Sequence, residues 1–118
     1  MEPDYVYGDA EIEIVKSGYK AIEAVLAGRD MNAKRRLLFY LDWYIDPYYK
    51  NDLTNLYEPL KELLQEMVIA ENEDDVIEDA FFLLESYSEP PYERLRESIG
   101  VVPQQFLPKV RYLINLKD

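Results

Sequence analysis

The chain contains no cysteine and no histidine. Without cysteine there is no disulfide, no thiolate nucleophile and no sulfur ligand for a metal, which agrees with a reducing compartment. Without histidine there is no imidazole general base, no serine–histidine pair, no ordinary zinc or non-haem iron site and no histidine pH switch. Carboxylate pairs, tyrosine and lysine are the acids and bases that remain, so an enzyme is not the expected reading. Four scattered glycines cannot make a phosphate-cradling loop, and ENEDDVIEDA lacks the glycine and ligand spacing of a calcium loop. No cofactor and no metal is expected.

No run of 18 apolar residues occurs, so no membrane span is expected. The opening MEPDYVYGDAEIE carries acids where a secretory signal carries bases, and no apolar stretch follows, which predicts a cytoplasmic location. No Gly/Ser linker, low-complexity tract or exact repeat divides the 118 residues, and 48% of them are hydrophobic. Residues 1–118 are therefore expected to form a single helical domain.

Basic residues are also scarce. Thirteen face 24 acids for a net charge of −11, divided as −4 over residues 1–59 and −7 over residues 60–118. None falls between Lys61 and Arg94, where 11 acids do. Such a field repels nucleic acid and anionic lipid and attracts basic proteins. Lys34, Arg35 and Arg36 make the densest basic patch, but they fall near a helix start, where pairing with acids is the expected use.

The hydrophobic spacing predicts an all-α fold, a compact antiparallel bundle of five or six helices whose first four pair into two hairpins. Asp9 caps a first helix carrying Ile12, Val15, Tyr19, Ile22 and Leu26, with Gly18 weakening it or admitting a close neighbour and Gly28 ending it. A second starts near Asp30 or Asn32 and ends before Pro47, with Leu37, Leu38, Leu41, Tyr44 and Ile45 inward. The third, from Thr54 or Asn55 to Ala70, buries Leu56, Leu60, Leu63, Leu64, Met67 and Val68, and Pro59 sits near its first turn. Glu58, Glu62 and Glu66 recur on its outer face. A fourth, capped within Asn72 to Asp75, buries Val76, Ile77, Ala80, Phe81, Leu84 and Tyr87, with Phe82 and Leu83 widening its apolar arc. YERLRESI and PKVRYLINL supply two short final helices, the last burying Val110, Leu113, Ile114 and Leu116.

Two features exceed what folding needs. Six acids crowd Glu71 to Asp79; Glu73, Asp74 and Asp75 suit a helix amino terminus, and the excess points to a partner. The other is tyrosine, with 11 copies. Tyr19, Tyr87 and Tyr112 fall on apolar stripes and are expected in the core or at its boundary. Tyr44, Tyr48, Tyr49 and Tyr57 concentrate in or beside DWYIDPYYKND, where rigid rings with polar tips suit a protein interface. The alternative is that Trp43 and Tyr44 merely seal the end of the core.

A small, acidic, tyrosine-rich helical chain of this kind resembles the immunity proteins of bacterial toxin systems, and Tyr48 and Tyr49 among acids in DPYYKND are similar to the toxin-contacting tyrosine pair of the colicin nuclease group. Immunity proteins include the partners of colicins and of contact-dependent inhibition toxins. In the colicin group the pair precedes a proline, whereas here Pro47 comes first. VIEDAFFLLESYSEPPYERLRESIGVVPQQFLPKVRYLINL is similar to immunity-like proteins in its acidic helix, proline pair and final helix. The resemblance implies neutralisation of a basic, nuclease-type toxin domain by occlusion of its substrate surface. The expected partner is that toxin, with no nucleic acid and no membrane. The expected contact residues are Tyr44, Asp46, Tyr48, Tyr49 and Asp52 with Glu62, Glu66, Glu71, Glu73, Asp74, Asp75 and Glu78. Two rivals stay open: an acidic adaptor that mimics nucleic acid, and a histidine-free carboxylate enzyme.

Overall fold

In the computed structural model, which describes residues 8–71 and 73–114, Gly18 divides in two the helix expected from Asp9 to Leu26. Helix α1 spans Asp9–Lys16 and α2 spans Tyr19–Leu26. Gly18 sits at φ 101°, ψ 179°, a region that residues with a Cβ rarely enter. Downstream follow α3 (Met31–Tyr44), α4 (Tyr57–Ala70), α5 (Asp74–Tyr87), α6 (Glu93–Glu97) and α7 (Leu107–Ile114). The fold is all-α, with no strand among the described residues. The described residues hold seven α-helices, because the break at Gly18 makes two of the first one expected.

The chain divides into two compact units, Met1–Leu60 and Lys61–Asp118, with the boundary inside α4. In the first, α1, α2 and α3 touch one another pairwise. Their facing apolar residues, Val15, Ile22, Leu26, Leu37, Leu38 and Leu41, are buried, as the helical spacing predicts. The cap of α1 is Gly8, not Asp9, and Glu11 supplies what glycine lacks: its Oε1 accepts the Gly8 N–H at 2.7 Å. Glu11 is buried, and its Oε2 accepts from Arg36 Nε at 3.3 Å. One cation of the basic triplet thus pairs with an acid across the helices. Asp30 caps α3, its Oδ1 accepting the Ala33 N–H at 3.1 Å.

In the second unit, Leu64, Met67 and Val68 of α4 are buried, Leu63 only half-buried; Val76, Ile77, Ala80, Phe81, Leu83 and Leu84 of α5 are buried too. Three polar contacts run from α4 to residues 89–95. Lys61 Nζ donates to the Glu89 carbonyl at 2.5 Å, Gln65 Oε1 accepts the Leu95 N–H at 3.1 Å, and Arg94 grips Glu66. Tyr92 is buried below them, its hydroxyl 3.0 Å from Ser88 Oγ.

Several expectations need correction. Tyr112, expected in the core or at its boundary, is 67% exposed, and Phe82 is 50% exposed while its neighbour Leu83 is buried. The α5 face therefore ends between them. Helix α6 is shorter than YERLRESI, because the chain passes into a 3-10 turn at Ile99–Val101. The α5 cap position is Glu73; Asn72 and Leu116 lie outside the described residues.

Candidate functional site

DWYIDPYYKND begins within the last turn of α3. Pro47 holds Asp46 extended (φ −63°, ψ 124°), and the helix stops at Tyr44. Asp46 Oδ1 then accepts the Tyr48 N–H at 2.9 Å and caps a 3-10 turn, Pro47–Tyr49. Lys50 leaves it in the left-handed region at φ 58°. Asn51 Nδ2 donates back to the Tyr44 carbonyl at 3.0 Å, one of the helix-end acceptors that lack an intrahelical partner. Asp52 Oδ1 accepts from both Thr54 N (3.0 Å) and Thr54 Oγ1 (2.7 Å). These two bonds, the hydroxyl's first, hold the Asp52 carboxyl below the usual carboxylate range. A short segment is thus fixed by its own side chains.

What this scaffold presents is aromatic. Tyr48 is 79% exposed, and Tyr49 and Trp43 are each 43% exposed. Trp43 stacks on Tyr49 with centroids 4.9 Å apart and 24° between planes, and Tyr48 meets Tyr49 edge-on at 5.0 Å. Offset stacking and edge-to-face contact are the favoured ring geometries, so the three form an ordered surface instead of three independent side chains. Half-buried Tyr44 leans on Tyr40 at 6.0 Å. Sequence reasoning missed Trp43 and the exposed Phe39 as site residues. Their signal is an i, i+4 pair of large rings lying off the Leu37, Leu38, Leu41 stripe.

Beyond Asp46 and Asp52, the acidic residues expected at the partner surface belong to the second unit and differ from one another. Glu62 is exposed on α4. Glu66 already has a cation: Arg94 Nε and Nη2 reach its two oxygens at 2.5 and 2.6 Å, a bidentate fork. That fork holds the Glu66 carboxyl below its ordinary value and the guanidinium above its own. Half-buried Glu71 accepts the Glu73 N–H at 3.2 Å just ahead of α5. Glu73, Asp74 and Asp75 are exposed at the α5 amino terminus, where the helix dipole favours anions, and Glu78 follows on its exposed face.

Among the described residues no group of three or more acids is placed to hold a metal ion, and no helix is long and apolar enough to cross a membrane. Comparison with known protein families, with curated proteins and with solved structures finds no match.

Proposed function

We propose that the protein acts in the cytoplasm as an immunity protein, binding a cognate, basic, nuclease-type bacterial toxin domain and neutralising it by covering its substrate surface. The observation that carries this reading is the solvent-facing ring cluster of Trp43, Tyr48 and Tyr49 on a turn whose geometry is fixed before any partner arrives. Binding hot spots are rich in tryptophan and tyrosine, and a prearranged surface loses less side-chain freedom on association. The net charge of −11 adds long-range attraction for a cationic partner. Attraction of that kind raises association rates above the unsteered value of about 10⁵ to 10⁶ M⁻¹s⁻¹. A nuclease presents lysine and arginine to phosphate, so an acidic binder competes for the same groups.

The test begins with co-purification of the protein with the product of the neighbouring gene, followed by titration of the Tyr48→Ala/Tyr49→Ala double variant. Loss of several kcal/mol of affinity with little change in folding stability is expected, since both rings are largely outside the core. An acidic mimic of nucleic acid would bind many basic proteins and barely register the loss of the rings. Failure of the protein to protect cells producing the neighbouring gene product would overturn the proposal.

A further inference from the structure

Helix α3 packs its Leu37, Leu38 and Leu41 side against α1 and α2, and its opposite side forms a strip. Asn32, Arg36, Phe39 and Trp43, with Asp46 two residues past the end of the helix, recur at spacings of four, three, four and three. That alternation is the seam of a helix that lies along another helix. At its centre Phe39 is 38% and Trp43 43% exposed. Arg36, whose side chain stays 40% exposed beside Glu11, closes one end, and half-buried Asp46 closes the other.

Reversed end to end, the strip complements itself. If two α3 helices lie antiparallel with Phe39 of each opposite Trp43 of the other, Arg36 of each falls opposite Asp46 of the other, because both pairs share one midpoint in the sequence. A two-fold axis then makes every contact twice. Charge favours the same arrangement. Residues 30–52 hold four acids (Asp30, Asp42, Asp46, Asp52) and four bases (Lys34, Arg35, Arg36, Lys50), a balance of zero in a chain of net charge −11. Repulsion between two copies is therefore seated outside the strip. Within α3 the bases fall in the first half and Asp42 in the last turn, the reverse of what the helix's own dipole favours; an antiparallel neighbour brings each beside the opposite helix end. A uniformly basic or acidic surface would match one end of the strip and repel the other. We propose that α3 is a self-association surface, on which a second copy of this chain pairs antiparallel through Phe39 and Trp43 with Arg36 of each copy facing Asp46 of the other. The dimer goes beyond the toxin reading and is measured without a toxin. Only its consequence rests on that reading: both occupants use Trp43, so a toxin and the second copy compete for it.

The experiment is sedimentation velocity of the full chain from 10 μM to 1 mM. A reversible rise from 14.0 kDa towards twice that mass is expected, with a dissociation constant on the order of 100 μM for so small an interface. Phe39→Ser changes an exposed ring outside the expected toxin contacts and weakens the dimer about tenfold or more. Asp46→Asn keeps an oxygen to accept the Tyr48 N–H, removes the charge, and weakens the dimer about threefold or more. Circular dichroism reports that both variants keep the fold. Register is read from a nitroxide on Asn32→Cys, the sole cysteine of that variant, mixed with isotopically labelled wild-type chain. Antiparallel pairing broadens the amide resonances of residues 46–50 in the labelled copy. A chain that stays monomeric to 1 mM, a dimer indifferent to Phe39→Ser or to Asp46→Asn, or broadening centred on residues 32–36 or outside α3 and its turn would each overturn the proposal.

Discussion

Gln65 is a buried polar residue whose replacement has a calculable consequence. It is 2% exposed, with Oε1 accepting the Leu95 N–H at 3.1 Å and Nε2 donating to the Lys61 carbonyl at 3.3 Å. Leu95 is the third residue of α6, and the first four N–H groups of any helix have no intrahelical acceptor. Helix α6 has five residues and no side-chain cap of its own at Tyr92, so Gln65 caps it from α4. Gln65→Met keeps the length and the apolar stem and removes only the amide. The Leu95 N–H, in a fully buried residue, then lacks its partner, at a cost of about 1–3 kcal/mol. Removing the amide from a buried site returns up to about 1 kcal/mol through easier desolvation. A net loss of about 1–2 kcal/mol follows, or roughly 0.5–1 M in the urea midpoint at a slope near 2 kcal/mol/M. Urea titration by circular dichroism measures the total, and amide exchange at Leu95 locates it. Protection of that one amide falls by more than the global change if the cap is what was lost. An unchanged midpoint with unchanged protection at Leu95 refutes the reasoning, because the hydrogen bond would then contribute nothing that water does not.

Gly18→Ala meets no steric obstacle, since nothing lies within 4 Å of an added Cβ, but it forces alanine to φ 101° and lowers stability by about 1–3 kcal/mol in the same urea assay. The Glu66 carboxyl titrates below its unfolded value of about 4.3, so its stabilisation is complete above that pH and is lost as pH falls through the lower folded value. Arg94→Gln therefore shallows the fall in stability between about pH 5 and the acid limit, which pH-dependent urea midpoints reveal. Trp43 is the sole tryptophan, and Tyr49 covers one of its faces. Tyr49→Ala raises its fluorescence quenching by acrylamide and shifts its emission to the red, whereas Tyr48→Ala, which removes no stacking partner of Trp43, changes both far less.

Much of the fold was legible because the periodicity of leucine, isoleucine and valine is strong in α3, α4 and α5, and because Asp30 and Pro47 mark where a helix begins and ends. The break at Gly18 was half-legible: a glycine within an apolar stripe announces weakness, while the positive φ that makes two helices of one depends on what α1, α2 and α3 do to one another. The exposed tyrosine pair followed from Pro47, which ends the helix before the rings can join its buried stripe. Trp43 was hidden by the habit of assigning the largest aromatic residue to the interior. Tyr112 failed for the opposite reason, being counted on an apolar stripe although Val110, Leu113 and Ile114 complete the buried face of α7 without it. Glu11 was invisible as a buried acid, since Arg36 lies 25 residues away and nothing local announces the pair.

That last pair bears on how an acidic composition is converted into a recognition argument. A carboxylate held by a guanidinium projects little field, so Glu11 and Glu66 add less to attraction than their formal charges suggest. Asp46 and Asp52 are different: each accepts from neutral N–H or O–H groups, which fix the carboxylate in place without cancelling it. Their work as turn caps and any work as recognition charges are therefore compatible, and the same bonds that shape the aromatic turn anchor negative charge beside it. Along α5, Glu78 and Glu85 lie beyond the first turn, where the helix dipole no longer offsets them. Charge that is anchored and uncompensated steers a partner, whereas charge already paired inside the protein mainly shapes the fold. Sorted in this way, the anchored and unpaired acids are fewer than the 24 in the sequence, and two of them stand next to exposed rings: Asp46 beside Tyr48, and Glu85 beside Tyr112.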